Sequence, residues 1–322
     1  MEYRDIPYVN RAASRLILGT ASPSFTSGGD NSRLLDVAMD MGINVIDTAR
    51  NYGMAELSIG NWLRESKCRD RVIILSKCAH PNLLGRKRVT EKDIRKDFEK
   101  SSRLLGTDYI DIYLLHRDDP EVDVSIPVEV LNTMHKEGKI GAFGTSNWTY
   151  QRIAEANRYA RSHDLIPFSV SSPHFSLARQ QQDPWGGGCV SITGQENEPA
   201  RKWYTENQMP VIAYSSLGRG ILSGKVKSSD AQQAEAVLDA VAMKGYGCSE
   251  NFLRLARCEE LAARKNCTVA QIAMAWVYCQ RMNTFAVATM SSAERIRENV
   301  AALSIKLTKE ESAYLNLERE GV

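Results

Sequence analysis

Four ionisable side chains have the types and spacing needed for proton transfer: Asp47, Tyr52, Lys77 and His116. Three of them end or follow short apolar runs, and Tyr52 comes five positions after Asp47. Tyrosine is a weak acid at neutral pH because its reference pKa is about 10. A lysine ammonium roughly 4 Å from the phenol, at an effective dielectric constant near 20, would contribute about 4 kcal/mol, or about three pKa units.

These side chains suggest proton donation to a carbonyl oxygen. We expect Lys77 to lower the pKa of Tyr52 to about 7, with Asp47 keeping the ammonium charged and oriented. His116 can donate a hydrogen bond that positions the carbonyl oxygen. This chemistry requires no metal ion, and no Cys or His residues have the spacing of a structural zinc site.

The apolar runs that carry these residues belong to a repeated strand–helix pattern. Helical periodicity follows the strands, for example over Glu91–Leu105, Val128–Lys136 and Tyr150–Ser162. The predicted strands are Leu16–Thr20, Asn44–Asp47, Val72–Ser76, Ile110–Leu115, Gly141–Thr145, Phe168–Ser171, Val211–Tyr214 and Phe285–Ala288. Eight strands that each lead into a helix predict an α/β fold, a single (β/α)8 TIM barrel over residues 1–322.

The barrel prediction places the four side chains on one face. Reacting groups of such barrels lie at the carboxyl ends of the strands, and the loops there carry function. The first predicted strand lacks the G-x-G-x-x-G turn of a doubly wound dinucleotide-binding sheet. Two long loops are predicted at the same face, over residues 177–194 and 225–250.

Composition narrows the classes of partner. The chain is 43% hydrophobic and 25% charged, as is typical of a folded globular protein. Its net charge of +2 does not favour nucleic acid or an anionic membrane as the partner. The longest apolar stretch, Ile272–Cys279, is far shorter than the roughly 18 residues of a membrane span. Met1–Asp5 has no secretory apolar segment, so we expect a cytoplasmic protein that acts on a small molecule.

Several segments resemble the aldo-keto reductases. The segment 47–53 (DTARNYG), followed by Glu56 and Gly60, resembles the family signature, as do Ser76-Lys77, Leu115–Arg117 and residues 141–147 (GAFGTSN). The resemblance implies a (β/α)8 barrel that binds NADP(H) in an extended form and reduces aldehydes or ketones by hydride transfer. It also implies that Tyr52 is the general acid, that Lys77 and Asp47 lower its pKa, and that His116 orients the carbonyl group.

The resemblance further implies a set of cofactor contacts. Ser146 and Asn147 match the pair that binds the nicotinamide carboxamide, and Tyr214 matches the aromatic residue that stacks on the ring. Residues 215–225 resemble the loop over the pyrophosphate. Arg295, Glu298 and Asn299 match the positions that clasp the adenosine 2′-phosphate and the adenine. The full expected set is Gly19, Thr20, Asp47, Ser146, Asn147, Ser171, Tyr214, Ser215, Leu217, Gly218, Gly220, Arg295, Glu298 and Asn299.

Two positions depart from the family pattern. Ser171 stands where the family most often has a Gln that contacts the carboxamide, and residues 288–292 (ATMSS) lack the Lys or Arg that many NADPH-selective members carry. A serine hydroxyl is too short to replace that contact except through water. We therefore expect NADPH as the cofactor, with NADH as the alternative.

Aromatic and polar side chains in the predicted loops are candidates for the substrate side. Trp148, His174 and Trp185 are expected to contact substrate together with Tyr52 and His116, and Phe25 and Phe175 are further aromatic candidates. The polar and aromatic segment around Trp185 suits a sugar-like or small carbonyl substrate. The sequence leaves the oligomeric state open.

Two other functions remain open at this point. The first is a cofactor-sensing regulatory subunit, similar to the potassium-channel β-subunits that share the fold and keep the four residues. The second is a barrel hydrolase in which Asp47 and Glu56 form a carboxylate pair. We expect structural pairing of Glu56, because it lies about one turn into a predicted helix.

Overall fold

The computed structural model describes residues 1–322 and contains ten strands, eight of which close into a barrel. The strands are β1 Tyr3–Arg4, β2 Ala13–Ser14, β3 Leu16–Gly19, β4 Val45–Asp47, β5 Ile73–Cys78, β6 Ile110–Leu115, β7 Ile140–Ser146, β8 Val170–Ser172, β9 Val211–Ala213 and β10 Thr284–Ala288. Strands β3 to β10 are parallel and pair in chain order, and β10 closes the ring on β3. The barrel predicted from the sequence is confirmed.

Helices surround the barrel. They are α1 Pro23–Thr26, α2 Ser32–Asp40, α3 Ala55–Ser66, α4 Glu91–Leu105, α5 Ser125–Lys136, α6 Tyr150–Ser162, α7 Glu198–Asn207, α8 Ala234–Val237, α9 Ala240–Tyr246, α10 Ser249–Lys265, α11 Val269–Tyr278, α12 Ala293–Ala301 and α13 Lys309–Leu315. Short 3₁₀ turns occupy 69–71, 195–197, 218–220, 228–233 and 302–304. No helix is both long and apolar enough to cross a membrane.

Alternating side chains divide the apolar residues of the strands into two layers. In β3, Ile17 belongs to the cluster inside the barrel, whereas Leu16 and Leu18 join the larger cluster between strands and helices. This alternation follows from the two-residue period of a strand. Both layers are apolar, which explains the nearly continuous hydrophobic runs that identify these strands in the sequence.

A short antiparallel hairpin closes the amino-terminal end of the barrel. Strands β1 and β2 pair before the chain enters β3, and Ile6, between them, is 2% exposed. Ile6 and Ala13 belong to the same buried cluster as the side chains inside the barrel. The opposite end, at the carboxyl ends of the strands, is therefore the mouth.

Two glycines permit close backbone approaches that hold the barrel and its helices together. A Cβ atom at Gly144 of β7 would lie 1.9 Å from the carbonyl oxygen of Val170 in β8. A Cβ atom at Gly60 of α3 would lie 2.0 Å from the carbonyl oxygen of Leu104 in α4. Any larger side chain at these positions would have to push neighbouring backbone apart.

The structure differs from the sequence prediction in a few elements. Lys77 lies within β5 rather than after it, and α5 begins at Ser125, three residues before the predicted start at Val128. Residues 225–250, predicted as a loop, contain a 3₁₀ turn and the short helices α8 and α9. These turns are too short to produce a recognisable helical period in the sequence.

Candidate active site

A buried ion pair joins two adjacent strands at the mouth. Asp47 ends β4 and Lys77 lies in β5; they are 5% and 3% exposed. The Lys77 ammonium donates hydrogen bonds to the Asp47 carboxylate and, at 3.0 Å, to the carbonyl oxygen of Thr48. Burial alone would lower the pKa of Lys77, but Asp47 and Tyr52 attract the ammonium charge and raise it. Lys77 is therefore a cation at neutral pH.

Tyr52 lies between Lys77 and His116. The Lys77 nitrogen is 5.2 Å from the centroid of the Tyr52 ring, and the His116 ring centroid is 5.7 Å from it in an edge-on arrangement. The structure thus brings together the four side chains that the sequence suggested for proton transfer. They come from β4, the β4–α3 loop, β5 and the residue that follows β6.

The pKa of Tyr52 moves in the opposite direction from the expectation. Burial is the largest influence and raises the pKa of Tyr52, while Lys77 lowers it and Asp47 raises it again. Because Asp47 sits on the Lys77 ammonium, the phenol faces a nearly neutral pair rather than an isolated cation. The predicted fall towards 7 is therefore wrong for this structure, in which Tyr52 stays protonated at neutral pH.

His116 is a neutral imidazole at the mouth. The residue is 6% exposed, and its Nδ1 atom is buried without a hydrogen-bond partner. Burial, followed by the positive charges of Lys77 and Arg117, lowers the pKa of His116 well below its ordinary value. The ring of His80 lies 5.0 Å from it, edge-on. A neutral imidazole can donate a hydrogen bond without adding a positive charge.

Asn147 follows β7, and both polar atoms of its side chain form hydrogen bonds within the protein. Its backbone is left-handed (φ 61°), and its Nδ2 atom donates to the carbonyl oxygen of His116 at 3.2 Å. Its Oδ1 atom accepts bonds from the amide of Val190 at 3.1 Å and from the hydroxyl of Tyr214 at 2.8 Å. Both lone pairs of that oxygen are therefore in use. A ligand amide that bonds to Oδ1 would have to replace one of these donors.

Strand β8 presents a different serine to the mouth than expected. The Ser171 hydroxyl lies 2.7 Å from the hydroxyl of Tyr204 in α7, on the helix side of the strand. Val170 belongs to the cluster inside the barrel, so Ser172 is the next residue on the inner face. Its carbonyl oxygen accepts a 2.8 Å bond from the hydroxyl of Ser146. The placement of Ser171 at the mouth is thereby corrected, and the alternation of β8 is the signal that identifies Ser172.

Gly19 and Thr20 lie where they support Asp47. The amide and hydroxyl of Thr20 both donate to the carbonyl oxygen of Asp47, at 3.0 and 2.9 Å. Gly19 pairs with Asp47 in the sheet, and a Cβ atom on it would approach Val287 Cγ1 to 2.9 Å.

The loop after β9 has an unusual series of left-handed residues. Ser215, Gly218, Arg219 and Gly220 have φ values of 51°, 56°, 52° and 108°. A Cβ atom on Gly218 would lie 2.6 Å from Ala178 Cβ, which explains the glycine there. Leu217 precedes this turn, and its carbonyl oxygen accepts a bond from the amide of Gly220. The loop is therefore tight, with small side chains where chain segments meet.

Helix α12 carries two of the expected cofactor residues, Arg295 and Asn299, in different states. Arg295 donates a 2.8 Å hydrogen bond to the Glu298 carboxylate, and the arginine side chain is 43% exposed. Asn299 is 4% exposed, and its Oδ1 atom is buried without a hydrogen-bond partner. A buried acceptor without a partner is uncommon in folded proteins, and a ligand with an amino group would satisfy it.

The expected substrate residues occupy three different environments. Trp148 is 1% exposed and packs edge-on against Phe168, with centroids 5.7 Å apart. His174 is fully buried, and its ring nitrogens lie 2.9 and 3.2 Å from the hydroxyls of Ser191 and Ser176. Trp185 is 42% exposed, with its ring 6.0 Å from that of Tyr214. Of the three, only Trp185 offers an exposed ring.

Phe25 and Phe175, the further aromatic candidates, are 1% and 0% exposed and pack in the main apolar core.

Glu56 has a structural environment. It is fully buried, pairs with Arg50 and accepts a 2.7 Å hydrogen bond from the hydroxyl of Ser76. These bonds occupy both carboxylate oxygens, so Glu56 offers no free carboxylate opposite Asp47. The structural pairing expected from the sequence is present.

Two mouth residues, Arg117 and Cys189, were given no site role from the sequence. Arg117 follows His116, and its guanidinium donates to the carbonyl oxygen of His116 at 3.0 Å and contacts Cys189 Sγ at 3.4 Å. Burial raises the pKa of the Cys189 thiol to about 11. The position of Arg117 two residues after the end of β6 is a signal that could have identified it; no sequence pattern marks Cys189.

Comparison with known proteins assigns the family. The model of the Aldo/keto reductase family matches residues 15–317. The chain is 28% identical to the NADH-specific methylglyoxal reductase of Escherichia coli (strain K12), over 94% of this chain and 93% of that protein. It is 28% identical to aldo-keto reductase str7 of Strobilurus tenacellus, over 89% and 80% of the two chains. It is 30% identical to aldo-keto reductase YhdN of Bacillus subtilis (strain 168), over 70% and 65%. The chain belongs to the aldo/keto reductase family and is an NAD(P)H-dependent oxidoreductase.

Proposed function

We propose that this protein reduces the carbonyl group of an aldehyde, ketone or sugar-like compound, with NADPH as the preferred cofactor and Tyr52 as the general acid. The observation that carries the proposal is the position of Tyr52 between a charged Lys77 and a neutral His116. Family membership and the name of the methylglyoxal reductase relative support a small carbonyl substrate.

The four side chains have distinct tasks in this reaction. Bound reduced nicotinamide supplies the hydride. Tyr52, which stays protonated because burial raises its pKa, donates its proton to the carbonyl oxygen. The Lys77 ammonium stabilises the phenolate that results, and Asp47 holds that ammonium in place. The neutral His116 donates a hydrogen bond that orients the carbonyl oxygen.

The residues expected to contact the cofactor carry side chains that suit its nicotinamide, adenine and pyrophosphate parts. Tyr214 offers an aromatic ring beside Asn147, and the unpartnered Asn299 oxygen suits the exocyclic amino group of adenine. Ser146 and Asn147 stand at the end of β7 for the carboxamide, and we propose Ser172 in place of Ser171 beside them. The small residues 215–220 would face the pyrophosphate.

Arg295 decides the preference between the two cofactors. Its guanidinium is the group expected to bind the 2′-phosphate, and it already donates a hydrogen bond to the Glu298 carboxylate. A phosphate must therefore compete with a carboxylate that is already bound. We expect Arg295→Ala to weaken the binding of NADPH about tenfold or more and to leave the affinity for NADH nearly unchanged. Fluorescence titration with both cofactors measures this, and equal losses for both would contradict the preference.

The substitution Tyr52→Phe tests the proposed reaction. It should lower kcat by roughly 10²- to 10⁴-fold while cofactor affinity changes little, because the ring is retained and only the proton donor is removed. NADPH and NADH oxidation with a panel of aldehydes, ketones and aldoses provides the assay. Tight cofactor binding with negligible turnover by the wild-type protein would favour a cofactor-sensing regulatory subunit instead.

A further inference from the structure

Arg117 brings to the mouth a guanidinium that forms no salt bridge, although the Asp183 carboxylate lies near enough for the arginine charge to help lower its pKa. It follows directly after His116, and its two hydrogen bonds go to a backbone carbonyl oxygen and to the Cys189 sulfur. The side chain is partly exposed. Guanidinium carries five N–H donors, so these two bonds leave further donors available.

Other partly buried arginines near the barrel strands are neutralised. Arg50 pairs with Glu56, Arg69 with Asp111 at 2.8 Å, and Arg88 with Asp97 at 2.7 Å. Folded proteins generally pair charges that lose solvent. Arg117 differs from these three arginines because it has no salt bridge, and it is the one that follows His116.

The charge of Arg117 acts on the groups that would surround a substrate carbonyl. After burial and Lys77, it further lowers the pKa of His116, and it opposes the rise that burial causes in the pKa of Tyr52. Arg117 is therefore close enough to interact with an anion bound beside these two side chains.

The loop that passes Arg117 contacts the guanidinium through Cys189, and the three residues before Cys189 are glycines. Gly188 lies against the arginine, and a Cβ atom there would come within 3.4 Å of Arg117 Cδ. Gly186 and Gly187 precede it, each with nothing within 4 Å of where a Cβ atom would stand. Gly188 thus passes an arginine that remains partly exposed, and no side chain of residues 186–188 covers it.

We propose that Arg117 selects carbonyl substrates that carry a carboxylate group. A carboxylate accepts paired hydrogen bonds from guanidinium in a fixed geometry, which fixes the orientation of the ligand as well as its charge. The reacting carbonyl then lies at Tyr52 and His116 while the carboxylate lies at Arg117. This inference rests on the proposed carbonyl reduction and adds the chemical class of the substrate.

The test compares matched acids and esters: 4-oxobutanoate and 2-carboxybenzaldehyde, each with its methyl ester. We expect wild-type kcat/KM to be higher for the acid of at least one pair. Arg117→Met should lower the acid-to-ester ratio about 10- to 100-fold, mainly through the KM of the acid. Arg117→Lys keeps the charge but loses the paired geometry, so its ratio should be intermediate. It provides the test if the Met variant fails to fold.

Arg86→Met is the matched control, because Arg86 is an exposed arginine whose side chain is 58% accessible in a different loop. Its acid-to-ester ratio should stay within about twofold of wild type. An unchanged ratio in Arg117→Met, or a wild-type preference for both esters, would overturn the inference and leave carbonyl reduction intact. A wild-type protein that reduces neither acids nor esters with either cofactor would overturn the proposed function as well.

Discussion

The hydroxyl of Tyr214 donates a 2.8 Å hydrogen bond to Asn147 Oδ1, which ties the segment after β9 to the segment after β7 across the end of β8. The same oxygen accepts a hydrogen bond from the amide of Val190, so one side-chain atom joins the segment after β9, the segment after β7 and the loop 177–194. The residue expected to bind the carboxamide is thus also an anchor for a loop that is expected to face substrate.

Cofactor binding should break the hydrogen bond between the Val190 amide and Asn147 Oδ1. A carboxamide that donates to Asn147 Oδ1 must replace one of its two donors, and the loop amide has fewer other contacts than the packed Tyr214 ring. Hydrogen exchange at the Val190 amide should therefore become faster when NADPH is added. The Ile192 amide, which bonds to the His174 carbonyl oxygen at 3.0 Å, is the internal control. Slower exchange at Val190 would show that Asn147 keeps both bonds.

Breaking the buried ion pair should destabilise the protein. Asp47→Asn leaves the Lys77 ammonium buried with only neutral acceptors, the Asn amide oxygen and the Thr48 carbonyl oxygen, and we expect a loss of about 3–5 kcal/mol in the free energy of unfolding. Lys77→Met should cost a similar amount. The double variant, which buries no charge at this point, should recover part of the loss. Urea denaturation of all four proteins measures this coupling, and single-variant losses below about 1 kcal/mol would contradict it.

His174 should make stability depend on pH. Burial lowers its pKa from 6.5 to about 3. Below about pH 6.5 the unfolded chain gains a proton that the folded protein cannot bind, so the free energy of unfolding falls as pH drops towards 3. This contribution should amount to about 2 kcal/mol between pH 7 and pH 5.

The substitution His174→Gln isolates that contribution. The variant should be less stable at pH 7, because the bonds to Ser191 and Ser176 change, but it should lose about 2 kcal/mol less than wild type between pH 7 and pH 5. Denaturant titrations at both pH values give the comparison. Parallel pH dependence in the two proteins would show that His174 is protonated in the folded state.

Cys189 should react slowly with electrophiles at neutral pH. Only the thiolate reacts, and burial raises the pKa of this thiol to about 11. The rate of carbamidomethylation by iodoacetamide should rise about tenfold per pH unit from pH 7 to 10. Mass spectrometry of the peptide identifies the site, and Cys189→Ser supplies the blank. A rate that levels off near pH 8.5 would indicate an ordinary thiol.

Gly144→Ala should disrupt the contact between β7 and β8. The added Cβ atom would lie 1.9 Å from the Val170 carbonyl oxygen, which belongs to backbone and cannot rotate away. We expect a loss of about 3 kcal/mol or more in the free energy of unfolding. Gly321→Ala, with nothing within 4 Å of its Cβ position, is the matched control. Equal stability of the two variants would show that the strands can separate without cost.

Long periodic elements were predictable from the sequence because their patterns are local. Helices α4 and α6 have the predicted bounds, and Thr90 caps α4 by accepting the Asp93 amide. The hairpin of β1 and β2 was not predictable, because strands of two residues are too short to show alternation. The short helices of residues 228–246 fall in the same class.

The convergence of the four ionisable side chains was predictable from the sequence, but their electrostatics were not. Asp47, Lys77 and His116 stand at strand ends, so the barrel alone brings them together. The pKa of Tyr52 depends on burial and on the cancellation of Lys77 by Asp47, which are properties of the packed structure. The occupied state of Asn147 likewise depends on a loop far along the chain.

The hairpin covers the amino-terminal end of the barrel with Ile6, and strand side chains fill the interior, so only the opposite end is open to ligands. Cofactor and substrate would then have to approach from the same side. We expect the more deeply bound of the two to arrive first and leave last, which would give an ordered catalytic cycle.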